Sequence, residues 1–384
     1  MIKSLSQKIK GDKVIWLMIV LLCLLSILAI YSSVGSKEIF MMPLLKQSFL
    51  VLVSFGAIYL SHRVPIGWYR RLAIPFLMVS VILLIITPFI GEEMRGATRA
   101  ISIFGVTFNP ADLAKIGVIL YLAKIMESEA LSSFKEFAWK ILAPVAVVFF
   151  LILWSSTSAA LLFLIVVILV LFVGEIKKAF LLRTAMIAIA LVGLYIADGA
   201  ATKLLPRSET ALNRIKDFLG ADAAANGNEI RKDEQIDYSK MAIATGGIIG
   251  KGPGRSTQRY VLSQAYSDFI YAIIIEEYGL AGGTAVLVIY LVLLFRAVVI
   301  ARSCTRVFPM LIVLGFVLSV VFQAMLNMCV AVGLTPVTGQ PLPLVSLGGS
   351  SLLSISFSLG IVLAVSRATE ERKIIEKNKI EQGD

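Results

Sequence analysis

The feature that most constrains this chain is a series of long apolar runs, nearly free of charge. The clearest covers residues 14–33, VIWLMIVLLCLLSILAIYSS. As a helix, a run of about 20 residues matches the hydrocarbon core of a bilayer. Further runs fall near 48–62, 72–90, 110–127, 138–154, 157–174, 180–198, 268–300, 308–333 and 343–366. Inside lipid every backbone polar group needs an internal partner, and segments of this length meet that need as helices. The sequence therefore predicts an all-α polytopic membrane protein with about ten transmembrane helices. Of 384 residues, 58% are hydrophobic and 16% charged, which is too apolar for a water-soluble domain of this size.

Basic residues set the orientation. Lys3, Lys8, Lys10 and Lys13 precede the first run, which is too long for a signal-peptide core and reads as an uncleaved span. Arg63, Arg70 and Arg71, then Lys135 and Lys140, then Lys177, Lys178 and Arg183, then Arg296, Arg302 and Arg306 lie in short connections. With an even number of spans, all fall on one side together with the basic C-terminal tail. The positive-inside rule puts that side, and both termini, in the cytoplasm. The net charge of +11 then needs no nucleic-acid partner. His62 is the sole histidine, which argues against a His-based metal site or a Ser-His triad. Cys23, Cys304 and Cys329 lie in or beside apolar runs and read as core residues.

The chain reads as a single membrane domain, 1–384, with a cytoplasmic tail at 367–384 and one large extracytoplasmic loop, 199–267, between spans 7 and 8. That loop carries Arg207, Arg214, Lys216, Arg231, Lys232, Lys240, Lys251, Arg255 and Arg259. Such a surface attracts either anionic headgroups or an anionic lipid-linked substrate. The segments 91–109 and 334–345 share its side.

Candidate chemistry clusters on that side. Asp268 stands where the basic loop meets an apolar helix expected to begin at Phe269, and an acid there either caps the helix or serves chemistry. In FNPADLAKIG, Asn109 fits an N-cap, Pro110 the first helical position and Asp112 the third. Lys115 follows Asp112 on the same face, as an ion pair or as a cavity cation facing phosphate. Just upstream, Arg95 and Arg99 add cations. The segment GGIIGKGPGRS lacks the Ser or Thr after Lys251 that a nucleotide-binding phosphate loop requires; its glycines either offer amides to a phosphate or form a flexible linker. Glu276 and Glu277, adjacent within an apolar run, are expected to pair with basic residues of another span and to be structural. Finally, TPVTGQPLPLVSLGGSSLLS interrupts the helical pattern, and Asn327 lies just upstream. Irregular backbone at membrane depth is tolerated where it lines a wet cavity, so this stretch reads as the re-entrant wall of a site in preference to a simple outer hairpin.

Taken together, NPADLAK, the series GGIIGKG, SDFIYA and EEYGL, and the pair PVTGQPLP and SLGGSS resemble the SEDS proteins (shape, elongation, division and sporulation) over nearly the whole chain. These are the peptidoglycan glycosyltransferases RodA and FtsW, and QAYSDFIYA is more similar to the division branch. The resemblance implies a polymerase of lipid II, the undecaprenyl-diphosphate-linked disaccharide-peptide, acting with a class B penicillin-binding protein transpeptidase and other division or elongation proteins. Asp268 takes the position of the family's essential aspartate, Asp112 and Lys115 that of its fourth-span acid and lysine, and Ser350 and Ser351 that of its paired serines. Ser263, Gln264 and Ala100 depart from the usual Pro, Glu and Trp, and WSSTSA replaces an acidic segment. The implied chemistry uses Asp268 as general base, with Lys115, Arg99, Lys251, Arg255 and Arg259 as candidates for the diphosphate. It runs with or without a divalent cation, Mg or Mn, which Asp268 could ligate instead. Rival readings are a lipid II flippase and a non-catalytic scaffold.

Overall fold

The computed structural model describes residues 10–33, 41–93, 98–103, 106–129, 131–202, 204–205, 207–219, 234–262 and 266–382. Ten long helices correspond one to one with the predicted runs: α1 (Lys13–Ser33), α2 (Met41–Arg63), α3 (Ile66–Ile90), α4 (Pro110–Ser128), α5 (Phe134–Ser155), α6 (Thr157–Val173), α7 (Lys178–Ala201), α10 (Ile270–Arg302), α11 (Val307–Ala331) and α12 (Gly349–Gln382). Two shorter helices, α8 (Ser208–Leu219) and α9 (Glu234–Gly246), lie in the long loop between α7 and α10.

Eight of the ten are long and apolar enough to cross a membrane. The other two are α6, with 17 residues, and α4, which carries Asp112, Lys115, Lys124 and Glu127. Helix α4 tolerates its charges because it is enclosed by protein: Ala114, Ile116, Val118, Ile119, Leu120 and Leu122 are all buried. Helix α12 is the most enclosed of the eight and α7 the least, so the fold has a central and a peripheral layer.

On the segment before α4, β1 (Glu92–Glu93), β2 (Thr98–Ile103) and β3 (Val106–Phe108) form a small antiparallel sheet in the order β1-β2-β3, which the sequence did not predict. Two expected boundaries need correction. Helix α2 begins well before residue 48, at Met41. The last helix starts later than 343, because residues 341–348 are irregular, and it continues unbroken past the expected span end to Gln382.

One end of the bundle gathers the start of α1, the far end of α12 and short basic connections. Asp12 caps α1 by accepting from the Val14 and Ile15 amides (2.9 and 3.0 Å) and pairs with Arg296 (Nε–Oδ2 3.0 Å). Lys10 meets Glu371, Arg70 meets Glu127, and Lys140 meets Glu129. Lys10, Arg70, Lys140 and Arg296, among the charges that the sequence assigned to one side, thus pair at that end. The break between α5 and α6 is set by Ser156, whose side chain accepts from the Ala159 amide as an N-cap.

Helix α10 is two helices joined at Gly279, whose φ of 70° and ψ of −175° suit glycine alone. A helix broken at membrane depth exposes backbone groups that need partners. The glycine-rich loop supplies them. The Lys251 and Gly252 amides donate to the Glu276 and Glu277 carbonyls (3.0 and 2.9 Å). In return, the Leu280 and Ala281 amides donate to the Gly247 and Ile248 carbonyls (2.9 and 3.2 Å). A Cβ on Gly250 or Gly279 would collide with the opposing backbone, so these two strips approach closely only because both are glycine there.

Candidate active site

Asp268 is buried, two residues before the start of α10; the N-cap is Phe269, so Asp268 is not the helix cap that the sequence allowed. Its backbone is held from two directions. The Asn327 side-chain nitrogen, from α11, donates to the Asp268 carbonyl (2.8 Å) and to the Gln340 carbonyl (2.9 Å). The Ser346 hydroxyl donates to the Ser267 carbonyl (2.6 Å), and the Leu347 amide donates to the Tyr266 carbonyl (2.9 Å). Residues 266–268 are therefore laid against the irregular proline- and glycine-rich segment. The Ser267 hydroxyl donates to Asp268 Oδ1 (2.9 Å).

Ser267 faces a polar cavity of about 200 Å³ at the end of the bundle opposite the chain termini. The start of α4 contributes Asn109 and Asp112, and the α5–α6 break contributes Ser155 and Ser156. Ser350 and Ser351 enter from the first turn of α12. Helix N-termini offer unpaired amides and the positive end of a dipole, so the start of α12 suits an anion. Beneath lies a smaller pocket of about 30 Å³, lined by Lys115, Ser319, Ser354 and Ser358. Asp112 and Gln323 border both spaces. Lys115 Nζ is 2.7 Å from Asp112 Oδ1, and both side chains are largely shielded.

The structure thus brings together Asp268, Asp112, Lys115, Asn327, Ser350 and Ser351 from four separate stretches of sequence. It does not bring the glycine-rich loop's cations to that cavity. Lys251 Nζ lies 2.5 Å from Glu276 Oε1. Arg259 donates to the Ser32 carbonyl (2.6 Å) and stacks over Tyr260, while Arg255 is exposed. Glu276 and Glu277 are buried, and the basic partner expected from another span is absent among the described residues: Glu276 pairs with Lys251 of the loop, and Glu277 receives loop groups and Ser32 of α1. Glu276 also receives the Thr257 amide and hydroxyl (3.0 and 2.8 Å) and the Ser256 hydroxyl. Glu277 receives the Ser256 amide (3.2 Å) and the Ser32 hydroxyl. The two acids act as a clamp on residues 251–257.

Arg99 belongs to β2, and its side chain lies outside the described residues, as do Arg95, Arg231, Lys232, Ser263 and Gln264. Among the described residues no cluster of three His, Cys, Asp or Glu side chains is placed to hold a metal ion. A cation at Asp268 would take its other ligands from water or from a bound phosphate.

Sequence reasoning passed over Gln323, Ser267 and Ser156. Gln323 had a signal: it stands four residues before Asn327 in an otherwise apolar helix, so both polar groups share one face. Ser267 and Ser156 had none, because a serine beside a turn or helix start is ordinary.

Fold and site define a helical membrane protein with a buried acid, Asp268, held behind Ser267 at a polar cavity bordered by helix N-termini. A family model described as "Cell cycle protein" and covering FtsW, RodA and SpoVE matches residues 12–371, and the chain belongs to that family. A relative from Trichlorobacter lovleyi, named a probable peptidoglycan glycosyltransferase FtsW, is 32% identical, covering 92% of this chain and 93% of its own. The Haemophilus influenzae protein of the same name is 30% identical, covering 94% and 91%. Stage V sporulation protein E of Bacillus subtilis is 29% identical, covering 78% and 80%. Among solved structures, a chain of a peptidoglycan synthase complex superposes with a TM-score of 0.75 at 26% identity, covering 94% of this chain and 98% of that one. The rod shape determining protein RodA of Thermus thermophilus gives 0.69 at 25% identity, covering 94% and 97%.

Proposed function

We propose that this chain is a peptidoglycan glycosyltransferase that polymerises lipid II into β-1,4 glycan strands, with Asp268 as the general base. The observation that carries this reading is the placement of Asp268 behind Ser267, at a cavity whose other wall is the N-terminal turn of α12. One wall suits a base and the other an anion. The family membership and the names of the relatives point the same way.

The chemistry needs little more. The Asp268 carboxylate takes the proton of the acceptor's 4-hydroxyl as that oxygen attacks the donor's anomeric carbon. The new carbon–oxygen bond forms as the bond to the diphosphate breaks, and the electron pair leaves on the diphosphate. A diphosphate leaving group needs its charge stabilised more than it needs a proton. The first-turn amides of α12, Ser350 and Ser351, with Lys115 beneath, are the groups suited to that. Asp112 keeps Lys115 oriented through their ion pair. One direct displacement inverts the donor carbon from α to β. A second carboxylate, which a glycosidase needs, has no task here.

The reaction would take place at the outer face of the bacterial cytoplasmic membrane, with both termini inside. The charge cluster that joins Asp12, Arg296 and the C-terminal end of α12 supports this orientation. The stronger likeness to FtsW relatives favours septal synthesis, beside a class B penicillin-binding protein on a separate chain. Incubating the purified protein with lipid II, alone and with its transpeptidase partner, tests the reading. Glycan chains are expected. No chains with the partner present, together with lipid II transfer between leaflets of proteoliposomes, would replace it with a flippase.

A further inference from the structure

A second cavity, larger than the first, has no role in the mechanism above. It measures about 280 Å³ and runs between α5, α6 and α7 toward α8. Its walls are apolar along Phe149, Leu153, Leu162 and Leu191. On α6 it reaches the outside of the bundle at Leu161 and Ile165, which are 38% and 42% exposed and lie in the middle of that apolar helix. Its opposite end is ringed by polar groups, Arg207, Arg214, Thr210 and Tyr195. The groove is therefore built like an amphiphile in negative: an apolar channel open to lipid at one end, with two guanidinium groups at the other.

Three further observations bear on its occupant. Arg207 is held in the left-handed region, at φ 63°, although it is not glycine. Such strain persists where the surrounding structure fixes it, and it clusters at ligand sites. Burial, and then the positive charge of Arg214, lower the hold of Arg207 on its proton, so two cations share a partly dehydrated space that favours an anion. Finally, the groove adjoins the polar cavity. Ser156 lines both, and Thr338 on the groove side is followed directly by Gly339 on the cavity side.

We propose that this groove binds the second of the two lipid-linked substrates, with Arg207 and Arg214 holding its diphosphate and the polyprenyl chain leaving past Leu161 and Ile165. The inference rests on the polymerase reading. Joining two units that each carry a diphosphate requires two anion sites and two exits for apolar chains. In the acceptor, the attacking hydroxyl and the diphosphate lie at opposite ends of the disaccharide. Its diphosphate therefore belongs in a separate chamber, while its sugar crosses the shared wall at Ser156 to reach Asp268. Arginine forks suit this task, since they grip phosphate oxygens in pairs.

The test uses the full chain in nanodiscs and undecaprenyl diphosphate with a diazirine in its terminal isoprene. Crosslinked peptides are read by mass spectrometry. Label is expected on α6 and α7, displaced by excess undecaprenyl diphosphate and not by phosphatidylglycerol. The double variant Arg207→Ala/Arg214→Ala is expected to raise the half-saturating concentration at least about tenfold. Ile165→Trp, which adds bulk at the exposed rim of the channel, is expected to reduce labelling in the same region. Equal displacement by phosphatidylglycerol would make the groove an ordinary lipid contact and overturn the proposal. Unchanged labelling in the double variant and in Ile165→Trp would overturn it too. The polymerase reading fails separately: a wild type that shows the expected labelling but forms no glycan keeps the diphosphate site and loses the polymerase.

Discussion

Asn327 holds Asp268 by its backbone carbonyl and not by its carboxylate. Its side-chain nitrogen is 2.8 Å from the Asp268 carbonyl oxygen, and it also serves Gln340 at 2.9 Å. One buried amide thus ties the acid to the irregular segment that walls the cavity.

Replacing Asn327 by Leu removes both bonds at similar volume. Each buried carbonyl left without a donor costs about 1–3 kcal/mol. A lower melting temperature is expected, with kcat reduced at least about tenfold because Asp268 is no longer held in register. Thermal unfolding in detergent and turnover on lipid II check this. Full activity in Asn327→Leu would show that the tie is dispensable.

The Asp112–Lys115 pair predicts an asymmetry. Asp112 borders the open cavity, where water can solvate it, whereas Lys115 lies deeper. Asp112→Ala strands the deeper charge and is expected to destabilise the protein more than Lys115→Ala does. Lys115→Ala is expected to lose more activity, about a hundredfold in kcat, by removing a charge beside the leaving group. Paired measurements of melting temperature and kcat decide the matter; equal losses in both would remove the distinction.

The clamp at the broken helix gives a stability prediction. Glu276 is fully buried and receives Lys251, Thr257 and Ser256. Glu276→Ala is expected to cost about 1–3 kcal/mol, since the buried Ser256 hydroxyl loses its acceptor and Lys251 and Thr257 lose theirs closer to the surface. Limited proteolysis should then cut within residues 247–259. A protected loop in that variant would contradict the clamp.

Gly279→Ala meets both a backbone region closed to alanine and a collision with the Ile248 carbonyl. A loss of about 1–3 kcal/mol is expected from the backbone alone. Gly193→Ala, where a Cβ meets nothing, is the control and is expected to be neutral or slightly stabilising. Equal melting temperatures for the two variants would contradict the kink.

Much of this architecture was legible because an apolar run of membrane length is a strong signal that needs no partner to interpret. The run 14–33 became α1 with its ends almost in place. The ion pair of Asp112 and Lys115 was legible for a similar reason, since helical spacing alone puts them on one face. What escaped depended on contacts distant in sequence. Lys251 read as a phosphate ligand because nothing local marks Glu276 as its partner. Gly279, inside an apolar run, looked like a helix interior. The amphipathic helix α8, which carries Arg214 to the apolar groove, was hidden in a segment that read as a basic loop. The small sheet escaped because strands this short carry no clear alternation.

The central claim is that Asp268 removes the acceptor proton, and the most direct measurement is lipid II polymerisation by Asp268→Asn beside wild type. The variant keeps the shape of the side chain and the backbone ties through Asn327 and Ser346. The account predicts wild-type melting temperature, unchanged partner binding and a fall in kcat of about a hundredfold or more. A folded Asp268→Asn that polymerises at the wild-type rate would contradict it.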